Sequence, residues 1–459
     1  MACRRIRRLT ERLVLFFTGL IFLRMWFLDG FPVFCKVQGG SMATTLLGDH
    51  VDSTCPNCHF TFSCDAHDND DAPIAFCPNC AAKFAPPESP QVLAGDRVLI
   101  DLTAFQIRRP KRWEVVAFRR LSRGPDMLVK RVVGLPDEKI EIKNGDVYAD
   151  GRIQRKTLRQ QRAMRVLVHD DDYDDHTGPA SRWRPKEVGS NWSRPHGPRV
   201  HAENTGDEIG TLVYNHTTPG VDSVGAPARI TDYSFYNRGR LQRSDSDHPM
   251  ADVAMSFHVQ DIHGRGLLSL LATDGRDEFV VQINPGSEKY VVLKNRETDP
   301  QNSLAASGKL RGSLRDQTIE VSLFDRQFLF AIGGGTLAAV NIDNPQPPPV
   351  AKQPLEIGVQ GLGLVIDHLR VYRDVYYVMP PASEPGGDVL PFTLGANEYF
   401  VVGDNSPISE DSRTWTENRF VDHNSLVGKP FVVIYPACEI SLGRWHIQVP
   451  DLLRIRYIR

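Results

Sequence analysis

Five arginines (Arg4, Arg5, Arg7, Arg8 and Arg12) precede an apolar run from Leu13 to Leu28 in which Arg24 is the one charge. As a helix that run extends about 24 Å, a little short of a hydrocarbon core of about 30 Å. Arg24 can reach the headgroups, and Trp26 suits the interface. A basic start and a short apolar core also describe a cleaved signal peptide. The residues that follow, Asp29-Gly-Phe-Pro-Val-Phe-Cys35, offer no small-x-small cleavage site, however. A soluble helix would have no use for the arginines. The expectation is a basic cytoplasmic tail over 1–12 and a single transmembrane anchor in the lipid bilayer over 13–29. The positive-inside rule then places everything after residue 30 outside the cytoplasm.

Charge narrows the partners of the remainder. Lys plus Arg is 54 against 56 Asp plus Glu, so no bulk positive field exists for nucleic acid, and no local patch stands outside the first dozen residues. A nucleic-acid partner is therefore not expected. A mean hydropathy of −0.30 excludes a multi-span transporter. Eight cysteines in 459 residues are too few for a disulfide scaffold, so each is read by its position.

Three segments carry chemistry. The first is Val37-Gln-Gly-Gly-Ser-Met-Ala-Thr-Thr-Leu-Leu-Gly-Asp49, in which two glycines before Ser41 let a backbone approach closely. Strands are expected at 95–101 and 113–118, and again at Met127-Leu-Val-Lys-Arg-Val-Val-Gly-Leu-Pro136. Alternation on that last strand sets Lys130 and Arg131 on opposite faces, so that one of the two charges faces the interior. The third segment is Tyr399-Phe-Val-Val-Gly-Asp-Asn-Ser-Pro-Ile-Ser-Glu-Asp-Ser-Arg-Thr-Trp415, a strand entering a polar loop that an Asp–Arg fork can lock. Taken singly, these are a Gly-Gly-Ser turn, a half-exposed strand and an ornate loop.

In this order they resemble the motifs of type I signal peptidases, the membrane-anchored Ser/Lys leader peptidases of family S26. The resemblance rests on Gly40-Ser-Met with Thr45-Leu, on Lys130-Arg-Val-Val-Gly-Leu-Pro136, and on Gly403-Asp-Asn with Ser409-x-Asp-Ser-Arg-x-Trp415. It implies a mainly β fold of coiled antiparallel sheets, and a serine endopeptidase that removes signal peptides from exported preproteins, with small residues before the cleavage site. It also implies Ser41 as nucleophile and Lys130 as general base. Ser409 would orient the lysine, and Asp411 with Arg413 would support the loop. No cofactor is implied for the chemistry.

Physical chemistry agrees with those roles. A serine hydroxyl needs a nearby base to attack a carbonyl. A lysine with an ordinary pKa of about 10.4 is almost wholly protonated at pH 7. Burial among Val129, Val132 and Val133 without a paired carboxylate would lower that value by two or three units, on the order of a 100- to 1000-fold gain in free base. Two departures stand out. Gly39 occupies the place where many family members carry an oxyanion-binding serine, although a subset has glycine there. Thr44 stands in place of the family's proline.

Two insertions interrupt the resemblance. Cys55-Pro-Asn-Cys58 is followed, after 18 residues, by Cys77-Pro-Asn-Cys80. This spacing matches a zinc ribbon in which four thiolates hold a structural ion, and two disulfides are the competing arrangement outside the cytoplasm. The run His169-Asp-Asp-Asp-Tyr-Asp-Asp-His176 is read as a solvated loop. From about 210 to 378 alternation and turn punctuation suggest a β-sandwich, resembling laminin-G or concanavalin-like modules, with a glycan or protein partner.

The expected order is therefore a first catalytic segment over 30–52, the zinc ribbon over 53–82 and a second catalytic segment over 83–152. A charged linker over 153–209, the inserted β-sandwich over 210–378 and a third catalytic segment with the tail over 379–459 follow. The rival readings are another Ser/Lys enzyme, such as a self-cleaving repressor on a related fold, and a catalytically silent surface protein whose sandwich binds glycan or a partner. No DNA-binding module precedes the serine, which disfavours the repressor.

Overall fold

The computed structural model describes residues 2–27, 33–66, 75–85, 91–120, 126–173, 181–187, 191–194, 199–204, 206–217, 227–237, 248–295, 303–344, 346–380, 391–435, 437–442, 445–450 and 455–458. Ala2–Phe27 forms a single helix. Its apolar side chains between Leu13 and Leu23, Phe16, Phe17 and Phe22 among them, are exposed. The anchor expected over 13–29 takes this helical form as far as Phe27; residues 28 and 29 lie outside the described ones. No helix among the described residues is long and apolar enough to cross a membrane. The physical reason is the charge at Arg12 and Arg24, which leaves an uncharged stretch of only roughly 16 Å between them.

Strands dominate the rest, and the ladders are antiparallel. The first sheet runs Val33–Lys36, Arg97–Asp101, Leu426–Tyr435, Val115–Arg119, Met127–Gly134, Glu398–Val402 and Val421–Asp422, with Arg456–Tyr457 beside Leu426–Tyr435. Leu426–Tyr435 pairs with Val115–Arg119 near its start and with Arg97–Asp101 further along, with register shifts in both ladders. Such bulges bend a strand and increase its twist, so the sheet curls around its own core. A smaller four-stranded sheet of Arg152–Ile153, Asp146–Ala149, Lys139–Lys143 and Phe392–Thr393 covers one side. There Ile140, Ile142, Val147 and Phe392 bury against Trp113, Val133, Phe400 and Val402.

The inserted β region is built on two long strands, Val253–Thr273 and Leu355–Arg373, paired along most of their length. They belong to one branched 13-stranded sheet. Three register shifts between them let this pair bend and serve both halves. Alternation sets the core: in Glu278–Asn284, Phe279, Val281 and Ile283 are buried while their neighbours are half-exposed.

Residues 153–209, expected as a charged linker, are instead part of this architecture. Leu158–Met164 is a helix started by a Thr157/Gln160 capping box. Val166–Asp170, Trp183–Pro185, Trp192–Ser193 and Val200–Asn204 all join the 13-stranded sheet. The run at His169 is not a solvated loop as far as it is described: His169, Asp170 and Asp171 are buried, and residues 174–176 lie outside the described ones. Their charges are paired, Asp170 with Arg370 and Asp171 with Arg194.

Candidate active site

Met127–Gly134 sits between two neighbours, Val116 opposite Lys130 on one side and Val402 opposite Arg131 on the other. Alternation sends the two cations to opposite faces, and both are buried, Lys130 4% and Arg131 0% exposed. The sequence had promised burial for one of them. Arg131 is held by a fork to Asp404, Nε to Oδ1 at 2.7 Å and Nη2 to Oδ2 at 2.6 Å, and donates to the Trp113 carbonyl at 2.6 Å. Lys130 turns the other way and donates from Nζ to the Ser409 hydroxyl at 2.9 Å.

The loop after Glu398–Val402 is cross-braced. Asp411 takes Arg413 in a fork at 2.9 and 2.7 Å and accepts the Gly403 amide at 2.9 Å. Arg413 also reaches the carbonyls of Val378 and Ser406. Burial alone would raise the Asp411 carboxyl; Arg413, helped by the Lys130 charge and a hydrogen bond with Ser409, holds it below the usual range. A carboxylate that stays ionised keeps Ser409, and through it Lys130, in one orientation.

Ser41 opens a turn pinned from below by Met42 and Leu46, which pack with Val98, Ile100, Val115 and Ala117. The Ala43–Thr44 peptide is cis. Two contacts tie this turn to the loop: the Asn405 amide N–H donates to the Ser41 carbonyl at 3.0 Å, and Asn405 Nδ2 donates to the Gly40 carbonyl at 3.0 Å. Gly403 lies between the two segments. A Cβ there would stand 2.2 Å from Ser409 Oγ and 2.4 Å from the Ser41 carbonyl oxygen, a space only glycine fits. Gly403 thus lies among Ser41, Ser409 and Asp411, and Lys130 and Arg413 join through Ser409 and Asp411.

A profile of the family described as "Signal peptidase, peptidase S26" matches residues 87–190 and 379–435. Over those two stretches the chain is similar to this family. "Probable signal peptidase I-2" of Synechocystis sp. is 29% identical over 79 residues, which are 16% of this chain and 36% of that relative, so the chain matches about a third of its length. Among solved structures, a carbohydrate-binding module CBM66 from Bacillus subtilis aligns with 42% of this chain and 95% of its own, at 11% identity and a TM-score of 0.26. The laminarinase catalytic domain from Thermotoga maritima aligns with 46% of this chain and 98% of its own, at 10% identity and a TM-score of 0.30. At those scores neither likeness carries a conclusion.

The matched S26 residues contain Lys130, Ser409, Asp411 and Arg413, and Ser41 precedes them. Sequence reasoning assigned no role to Asp404 or Asn405, although both lie in the Gly-Asp-Asn string it singled out. Tyr236 and Asn237, which also touch the site, belong to the inserted β region and had no signal at all.

The four ribbon cysteines converge as well. Their sulfurs lie within 4.8 Å of one another, Cys55 to Cys80 and Cys58 to Cys77 at 3.6 Å each. A tetrahedron of sulfurs about 2.3 Å from zinc has edges of about 3.8 Å, whereas a disulfide needs about 2.05 Å. Cys55, Cys58, Cys77 and Cys80 are all unbridged. Each knuckle closes alike, with His59 and Ala81 at positive φ donating their amides to the carbonyls of Cys55 and Cys77. Hydrogen bonds from Cys58 and Cys77 pull the Cys80 thiol well below its usual range. The donor set fits zinc.

Proposed function

We propose that this chain is a serine endopeptidase that cleaves signal peptides from exported preproteins with a Ser41/Lys130 dyad. The observation that carries this reading is the buried Lys130 ammonium held on Ser409, with Gly403 packed between that hydroxyl and the Ser41 carbonyl. In the reaction, neutral Lys130 Nζ accepts the Ser41 hydroxyl proton as Oγ attacks the scissile carbonyl. The Ser41 amide N–H stabilises the oxyanion. As the C–N bond breaks, the Lys130 ammonium returns its proton to the leaving amine. Water, deprotonated by the same nitrogen, then hydrolyses the acyl-enzyme and restores both groups. Ser409 fixes Nζ, and Asp411 with Arg413 fixes Ser409. These steps draw on no cofactor.

The four cysteines would hold one structural zinc, with no open position for water or substrate. The exposed apolar side chains between Leu13 and Leu23 support attachment of this helix to the bilayer. Incubation of the detergent-solubilised chain with a preprotein tests the dyad: Ser41→Ala and Lys130→Ala should each abolish cleavage. Lys130→Arg should also fail, because a guanidinium does not deprotonate near neutral pH. Near-native turnover by any of these variants would overturn the reading.

A further inference from the structure

The inserted β region reaches into the site through one short segment. Phe235–Asn237 is a single 3-10 turn whose Tyr236 and Asn237 are 1% and 2% exposed. Asn237 faces Asn405 amide to amide: its Nδ2 donates to Asn405 Oδ1 at 2.7 Å, and Asn405 Nδ2 donates back to Asn237 Oδ1 at 2.6 Å. The second hydrogen of Asn405 Nδ2 goes to the Gly40 carbonyl. The Tyr236 ring edge closes the other side; a Cβ on Gly40 would stand 2.5 Å from its Cε1. Asn237 lies outside the residues that match the S26 family.

From this arrangement we propose that Asn237 is a positioning residue for catalysis, setting the Ser41 turn through Asn405; the proposal rests on the Ser41/Lys130 reading above. Asn405 has two side-chain donors and one acceptor oxygen, and Asn237 engages the oxygen and one donor. Without Asn237 the buried amide loses two partners and can rotate, releasing the Gly40 carbonyl one residue before the nucleophile. The segment that delivers Asn237 is itself anchored. Arg373, at the end of a long strand, donates to the carbonyls of Asp232 and Tyr233, and Asp232 pairs with His248. Phe235 packs edge-on to Phe62 of the cysteine module. The insertion is thereby part of the active-site scaffold.

The test uses the full chain and a preprotein substrate, with thermal melts of every variant. Asn237→Ala should lower kcat about tenfold or more while KM changes by less than about twofold, because nucleophile placement and not substrate binding is lost. Asn237→Asp keeps the acceptor for Asn405 Nδ2 and should fall between, and it carries the test should the alanine variant not fold. Combining Asn237→Ala with Asn405→Ala should cost little more than the worse single change, as expected of one shared link. The surface change Lys186→Ala, in the same region, should leave kcat unchanged. Native kcat in Asn237→Ala, a loss confined to KM, or full additivity with Asn405→Ala would overturn the proposal. Cleavage by Ser41→Ala would instead remove the dyad reading on which it stands.

Discussion

Asp404 closes both carboxylate oxygens on the Arg131 guanidinium, one residue beyond Lys130 on its strand and one residue beyond Gly403 on its loop. The pair is almost wholly out of water and locks the lysine strand to the loop that carries Ser409. Thr45, four residues beyond Ser41, donates to the same carboxylate at 2.5 Å. Removing one partner of such a pair strands a buried charge, at a cost of about 3–5 kcal/mol. Asp404→Asn should therefore lower the urea midpoint markedly, and Arg131→Lys should not restore it, since an ammonium cannot reproduce the fork. A midpoint unchanged in Asp404→Asn would show that the fork adds little.

Gly403 and Gly39 should respond to substitution in opposite ways. Gly403→Ala forces Ser409 Oγ and the Ser41 carbonyl apart, so kcat should drop about 100-fold in a chain that still melts cooperatively. Gly39 has nothing within 4 Å of where a Cβ would stand. Gly39→Ser should fold normally and, by supplying a second oxyanion donor, raise kcat about tenfold. Steady-state kinetics on one preprotein reads both.

The cysteine module comes up against the Ser41 turn, for Asp65 Oδ2 lies 3.1 Å from where a Gly40 Cβ would be. Purified protein should contain about one zinc per chain by elemental analysis. Chelation should lower activity as well as disordering the knuckles, and added zinc should restore it. Absence of metal, with disulfide-linked peptides from these cysteines in mass spectrometry, would replace zinc by an oxidised module.

Glu114 gives the fold an acid-sensitive clamp. Burial would raise its carboxyl, but Arg108, the Lys111 amide and Lys429 outweigh burial and bring it down to about 2. A carboxylate depressed on folding contributes stability that is complete above its unfolded value, about 4.3, and is lost as pH falls through about 2. Melting temperature should decline between those limits, and Glu114→Gln should start lower near neutral pH and flatten that stretch of the curve. An unchanged slope in the variant would count against the clamp.

The sequence made the S26 strings legible because their chemistry is local: Lys130 sits in one strand, and Ser409, Asp411 and Arg413 share one loop. The cysteine spacing was legible for the same reason, since each knuckle is four residues long. The stretch 153–209 misled because charge was taken as solvation. In the fold Lys156 bonds Asp325 and Asp374 out of water, and Glu320 receives Arg162 and Arg165. Asn237 and Asn405 are 168 residues apart in sequence. Nothing in either segment names the other, because a pairing of that kind exists only once two sheets have formed.

The ladder that sets Val166 opposite Arg373 has a kinetic consequence. Closing an unstructured loop of roughly 200 residues costs on the order of 5 kcal/mol in chain entropy. Once the long strands have paired, that detour is bridged, and Met127–Gly134 meets Glu398–Val402 as though a short connection joined them. The insertion should therefore fold ahead of the catalytic sheet, and slow steps in refolding should report the order of assembly, with protection from hydrogen exchange arriving in Val253–Thr273 and Leu355–Arg373 before it arrives around Lys130.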